Sequence, residues 1–198
     1  MRYELDDNRF LIGNNCTVGF LYRDLLQTRY ETPFVWNYCT YDNLIWLSRF
    51  WNDIEWEAQD FTPIYMQGDE MRKRSGITLT ALTSNDVWRV LRLFARNGEE
   101  FLTCFPHFGC FGQSSEQMWR RARRMLKAID EGKKPLFILA KEYPIEGYTR
   151  WQLEAVEEDE NIVLCDFPHG HRFLPKWTAT NVALPNLIER GYVKAVEE

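Results

Sequence analysis

The chain lacks most of the features that announce a function at first sight. Lys and Arg total 24 against 29 Asp and Glu, a net charge of −5. A general nucleic-acid binder needs the opposite balance, so that class is set aside. No apolar run approaches the roughly 20 residues that cross a bilayer. Residues 1–20 also lack the basic start and continuous apolar core of a signal peptide. The five cysteines are an odd number without framework spacing, which predicts reduced thiols in a cytoplasmic protein. There is no P-loop, no G-x-G-x-x-G and no H-E-x-x-H, so no cofactor is expected. Histidine is scarce as well: only His107, His169 and His171 are available for imidazole chemistry.

What the chain does have is a core. Its 198 residues suit one domain spanning 1–198, with 45% hydrophobic residues and an aromatic share of 15%. "RFLIGN" reads as a strand and Cys16 to Gln27 as the helix after it. Asp42 is placed to cap a second helix that ends near Phe50, and "DFTPIYM" reads as a short extended piece. Residues 84–104 admit two readings. One is a helix followed by a strand; the other, preferred here, is a hairpin turning at Asn97-Gly98. "FLTCFPH" is then a strand ending at His107. Ser114 and Gln117 form a capping box for a helix that Gly132 stops. "KPLFILA" and "NIVLC" are continuous apolar strands separated by a weaker helix, Tyr148 to Glu157, and "PNLIERGYVK" reads as a closing helix. The expected class is α/β: a mainly parallel sheet flanked by helices in a Rossmann-like three-layer arrangement, with room for an antiparallel hairpin insertion.

In such a sheet the strands' carboxyl ends share the edge where ligands bind. Cys16 follows the first strand, His107 ends the middle one, Glu142 follows "LFILAK", and Asp166, His169 and His171 follow "NIVLC". If these strands share one sheet and direction, the groups face one edge. A thiol nucleophile needs a base, and the base needs an orienting acceptor. Cys16, His107 and Glu142 (or Asp166) supply that set. Backbone N–H groups at Thr17 and Val18, or the Asn14 and Asn15 amides, would hold an oxyanion. The competing reading makes Cys16 a small core residue and His107 a satisfied turn histidine.

Two further patterns compete for attention. Cys104, His107 and Cys110, and likewise Cys165, His169 and His171, have the ligand types for zinc, but closely spaced Cys pairs are missing. The helix after Ser114 carries Arg120, Arg121, Arg123, Arg124 and Lys127. Arginine forks suit phosphate, whereas a solvated charged face is the plainer explanation.

"NNCTVGFLYRDL", "YETPFVWNY", a strand ending in His and Phe, and "WRRARRML" before "PLFILA" occur in that order. Together they resemble an uncharacterised bacterial family described as exopolysaccharide biosynthesis proteins. They are also similar to a second uncharacterised family described as papain-like cysteine peptidases, in which a Cys after the first strand precedes a P-F-x-W segment. Residues 68–98 fit neither pattern. The resemblance implies that Cys16 and His107 are functional. The expectation is a cytoplasmic thiol hydrolase or acyl transferase of surface-polysaccharide or cell-envelope metabolism, acting on a small-molecule, sugar or peptide substrate. Asn14, Asn15, Trp36, Arg120, Arg124 and His169 would contact that substrate. The alternatives are a glycosyltransferase-like or sugar-binding protein with no covalent step, and a zinc-stabilised interaction module.

Overall fold

The computed structural model describes residues 2–57, 61–75, 87–105, 114–140, 156, 159–165 and 174–196. The architecture is mixed α/β, with one parallel three-stranded sheet and two antiparallel sheets. The parallel sheet joins β2 (Arg9–Gly13), β6 (Lys134–Ala140) and β7 (Ile162–Cys165), with β6 in the middle. Register runs from Arg9↔Lys134 to Gly13↔Ile138 and from Phe137↔Ile162 to Ala140↔Cys165. The carboxyl ends of all three strands therefore lie along one edge.

Apolar residues on both sides of these strands explain their placement. Phe10, Ile12, Phe137, Leu139 and Ile162 pack into one cluster, while Leu11, Leu136, Ile138 and Val163 pack into another. Neighbours in sequence alternate between the clusters because successive strand side chains point to opposite faces. The first cluster takes in α2 (Tyr41–Phe50) and α4 (Ser115–Asp130). The second takes in α1 (Thr17–Phe20), which continues as a π-helical run from Leu21 to Leu26, and helical residues 179–187.

The preferred hairpin is present. β4 (Val87–Phe94) and β5 (Glu100–Cys104) pair antiparallel around Gly98, which takes φ +86°. β3 (Ile64–Gln67) adds to β4 on the other side, and α3 (Gly68–Ser75) follows it. This corrects one expectation. β5, the strand that leads toward His107, pairs with its hairpin partner and does not join the parallel sheet. A tight hairpin connection forces antiparallel pairing, and the ladder with β4 then occupies that edge of β5. Two smaller corrections concern element ends. Thr40, not Asp42, caps α2, its hydroxyl accepting from the Asn43 N–H at 3.2 Å. The C-terminal helical segment, α5 (Pro175–Thr178) through α6 (Leu184–Glu189), stops before Gly191; β8 (Val193–Val196) follows and pairs with β1 (Arg2–Leu5). The proposed Ser114 cap is confirmed, its Oγ accepting from the Gln117 N–H at 3.2 Å, and Gly132 ends that helix region at φ +82°. The expected helix over 148–157 falls outside the described residues, Val156 alone excepted. Among the described residues no helix is long and apolar enough to cross a membrane.

Two close approaches lock α1 and the π-helical run onto the sheet. The edge strand β2 presents the Leu11 N–H away from β6, and the buried Tyr22 hydroxyl accepts it at 2.8 Å. Burial pushes the Tyr22 phenol well above its usual range, so it stays a neutral partner. Gly19 faces Trp36 so closely that a Cβ there would stand 2.5 Å from the indole ring. Trp36 is itself buried and held at φ +58°, so it has little freedom to retreat. Gly19→Ala is expected to lower unfolding free energy by about 1–3 kcal/mol, read as a shifted midpoint at unchanged slope in urea titration. An unchanged midpoint would mean that Trp36 yields at no cost.

Candidate functional site

The turn after β2 is built from bonds that leave little slack. A Cβ at Gly13 would meet Val18 Cγ2 at 2.5 Å, so the chain can fold back this tightly only with glycine there. Asn14 then carries the β2–β6 ladder one step further with its side chain. Its Oδ1 accepts from the Ala140 N–H at 2.9 Å, and its Nδ2 donates to the Ala140 carbonyl at 3.0 Å. The Asn15 Oδ1 accepts from the Thr17 N–H at 3.0 Å, which satisfies one of the free donors at the helix start. Cys16 follows as the N-cap residue of α1, half-buried, its carbonyl accepting from the Phe20 N–H at 3.2 Å.

A second asparagine joins this turn to β5. Asn37 is fully buried, and its Nδ2 donates to the Gly13 carbonyl at 3.0 Å and to the Thr103 hydroxyl at 3.0 Å. Thr103 Oγ1 donates onward to the Tyr38 carbonyl at 3.1 Å. Tyr38 and Cys104 exchange backbone bonds of 2.7 and 2.9 Å, and the Cys39 N–H donates to the Asn14 carbonyl at 2.9 Å. The ends of β2 and β5 are thus joined by one polar network, although the strands belong to different sheets. Cys104 also lies close enough to Cys16 for that neighbour to add to the upward shift that burial imposes on Cys104. The Asn37 Oδ1 is buried and has no hydrogen-bond partner among the described residues. Such a group is costly in a core.

Burial separates the thiols. Cys39, Cys104 and Cys165 are at most 1% exposed, whereas Cys16 reaches the surface in part. Desolvation pushes the Cys104 and Cys165 thiols up to about 12, so both stay protonated near neutral pH. His107, Glu142, Asp166, His169 and His171 lie outside the described residues, as does Cys110. The structure does show that β6 and β7 end side by side at Ala140 and Cys165, on the edge occupied by Asn14. Of the two zinc sets only Cys104 and Cys165 are described. Among the described residues no three His, Cys, Asp or Glu side chains gather around a common point.

The expected substrate contacts divide into two groups. Asn14, Asn15 and Trp36 expose no more than 2% of their surface, so what they contribute is position. The Asn14 amide and the Thr17 N–H, offered as oxyanion donors, already hold the bonds described above, and the Asn15 Nδ2 donates to the Ala140 carbonyl at 3.5 Å. Arg120 and Arg124 line a groove shared with Arg23, Arg29 and Arg121, and Cys16 is not among the residues lining it. Asn37, Thr103, Arg23 and Arg29 escaped sequence reasoning. The one usable signal was an asparagine inside the aromatic run "PFVWNY", since a polar residue there must be buried with partners.

Native protein exposed to iodoacetamide near neutral pH is expected to be alkylated at Cys16, with Cys39, Cys104 and Cys165 modified only after unfolding. Peptide mapping reads this directly, and equal native labelling of Cys104 or Cys165 would contradict the burial described. No family model and no curated protein matches the chain, so the functional case rests on its own residues.

Proposed function

We propose that the chain is a cysteine-dependent hydrolase or acyl transferase of surface-polysaccharide or cell-envelope metabolism, working in the cytoplasm on a small-molecule, sugar or peptide substrate. The observation that carries this reading is the position of Cys16: a partly exposed thiol at the head of a helical run, beside a turn stapled by three asparagines. A helix N-terminus favours the thiolate over the thiol. The three parallel strands are taken as the centre of a Rossmann-like layered frame that offers Cys16 at its carboxyl edge.

In the proposed reaction His107 removes the Cys16 proton and the sulfur attacks a substrate carbonyl. Collapse of the tetrahedral adduct breaks the bond to the leaving group, which takes the proton from His107. Water or an acceptor hydroxyl then attacks the thioester, passes its proton to His107, and releases the acyl product and the Cys16 thiol. Glu142 or Asp166 orients the imidazole.

A second reading has one specific observation in its favour. The arginine groove excludes Cys16 from its lining, which fits a non-covalent binder in polysaccharide biosynthesis. Incubation with p-nitrophenyl acetate separates the two. The thiol reading predicts an acetyl adduct on Cys16 by intact-mass and peptide analysis, absent from Cys16→Ser. His107→Ala should slow acylation by about 10²–10⁴-fold. An adduct that persists in Cys16→Ser, or no adduct in wild type, contradicts it.

A further inference from the structure

The groove between α4 and the end of the π-helical run holds five arginines in a chain of net charge −5. Arg120, Arg121 and Arg124 come from neighbouring positions on one side of α4, and Arg23 comes from the π-helical run. Gln27 takes a left-handed φ of +52°, unfavourable for a non-glycine residue, and turns the chain so that Arg29 and Tyr30 face α4. The cavity measures about 730 Å³, within the range of small-molecule sites.

Among the described residues, two of these arginines have a carboxylate within ion-pair distance. Arg23 pairs with Asp24 at 2.5 Å, and Arg120 pairs with Glu116 one helical turn away. Glu31 acts on Arg124 at longer range while pairing with Lys133 at 3.5 Å. Arg29 and Arg124 have no carboxylate partner among the described residues; Arg124 Nε donates to the Tyr30 carbonyl at 2.8 Å. Arg121 is only 2% exposed, its guanidinium 4.6 Å from the centre of the Tyr30 ring. Burial lowers its proton affinity to about 10, and Arg124 is lowered by burial and by Arg29 and Arg120. Crowding and burying like charges is unfavourable without a counter-anion.

We infer that this groove is an anion site for a soluble ligand bearing a diphosphate group, held by the forked donors of Arg29, Arg121 and Arg124. A diphosphate supplies several oxygens and more than one negative charge, matching guanidinium pairs better than a single carboxylate does. The source is soluble because none of the exposed large apolar side chains among the described residues lines the groove. A lipid-surface site would need such side chains to enter the bilayer. The site is independent of Cys16 and stands or falls apart from the thiol reading.

Inorganic pyrophosphate is the probe, titrated calorimetrically into the whole chain at low salt. Saturable one-to-one binding is expected, weakening as salt rises and unchanged in Cys16→Ser. Arg29 is exposed, so Arg29→Gln should fold normally and weaken binding by about tenfold, with Arg29→Gln/Arg124→Gln losing it. Wild-type melting temperatures without ligand verify that the variants are folded. No saturable binding of pyrophosphate, equal binding by the double variant, or capture by phosphatidylglycerol vesicles without any response to pyrophosphate would overturn the assignment.

Discussion

The Asn37 amide donates to the Gly13 carbonyl and to the Thr103 hydroxyl, and these two side-chain bonds, with the backbone bonds of Tyr38 and Cys39, join a parallel to an antiparallel sheet. Neither strand end could be held there by its own ladder, because β2 pairs with β6 and β5 pairs with β4. Removing the amide would leave a buried carbonyl short of its donor, at a cost of about 1–3 kcal/mol. It would also release the relative placement of the Cys16 turn and the segment leading to His107. Asn14 does the same work against β6, and Asn15 against the start of α1. Three short amides therefore set the geometry of the carboxyl edge, and the chemistry proposed for Cys16 depends on that rigidity.

The two polar regions of the molecule contrast in how they are satisfied. At the asparagine network most buried donors and acceptors have a partner, while the Asn37 Oδ1 and the Thr17 Oγ1 have none among the described residues. In the arginine groove, among the described residues, ion pairs with carboxylates are made by Arg23 and Arg120, and Arg29 and Arg124 make none. Each region concentrates buried or crowded polar groups, which the reaction proposed for one and the anion proposed for the other would meet. Polar demands of that kind are costly to fold around, and they are what a ligand or a reacting group can repay.

Much of the frame was legible because local signals agreed with the global fold. "RFLIG", "KPLFILA" and "IVLC" are apolar on both faces and are buried on both. The Ser114–Gln117 cap and the Asn97-Gly98 turn act over three or four residues, so they can be read without knowing the rest. The assignment of β5 to the parallel sheet failed for a different reason. Strand partnership is a long-range choice, and an apolar run ending at a histidine carries no record of its neighbour. The π-helical register of Leu21–Leu26 and the strand at the C-terminus were missed likewise, since both depend on tertiary contacts. At the site, the cysteine was legible from its place at a strand-to-helix turn. Asn37 and Arg29 were not, because each acquires its role from a partner distant in sequence.

The central proposal is that Cys16 is the nucleophile and that its place at the helix start makes its thiol easier to ionise. The most direct test follows thiolate ultraviolet absorbance against pH for wild type and Cys16→Ser, and takes the difference. The account predicts a single-thiolate step centred well below ~8.5, the value of an ordinary free thiol. A step at or above that value, or no difference between the two proteins over the neutral range, would contradict it.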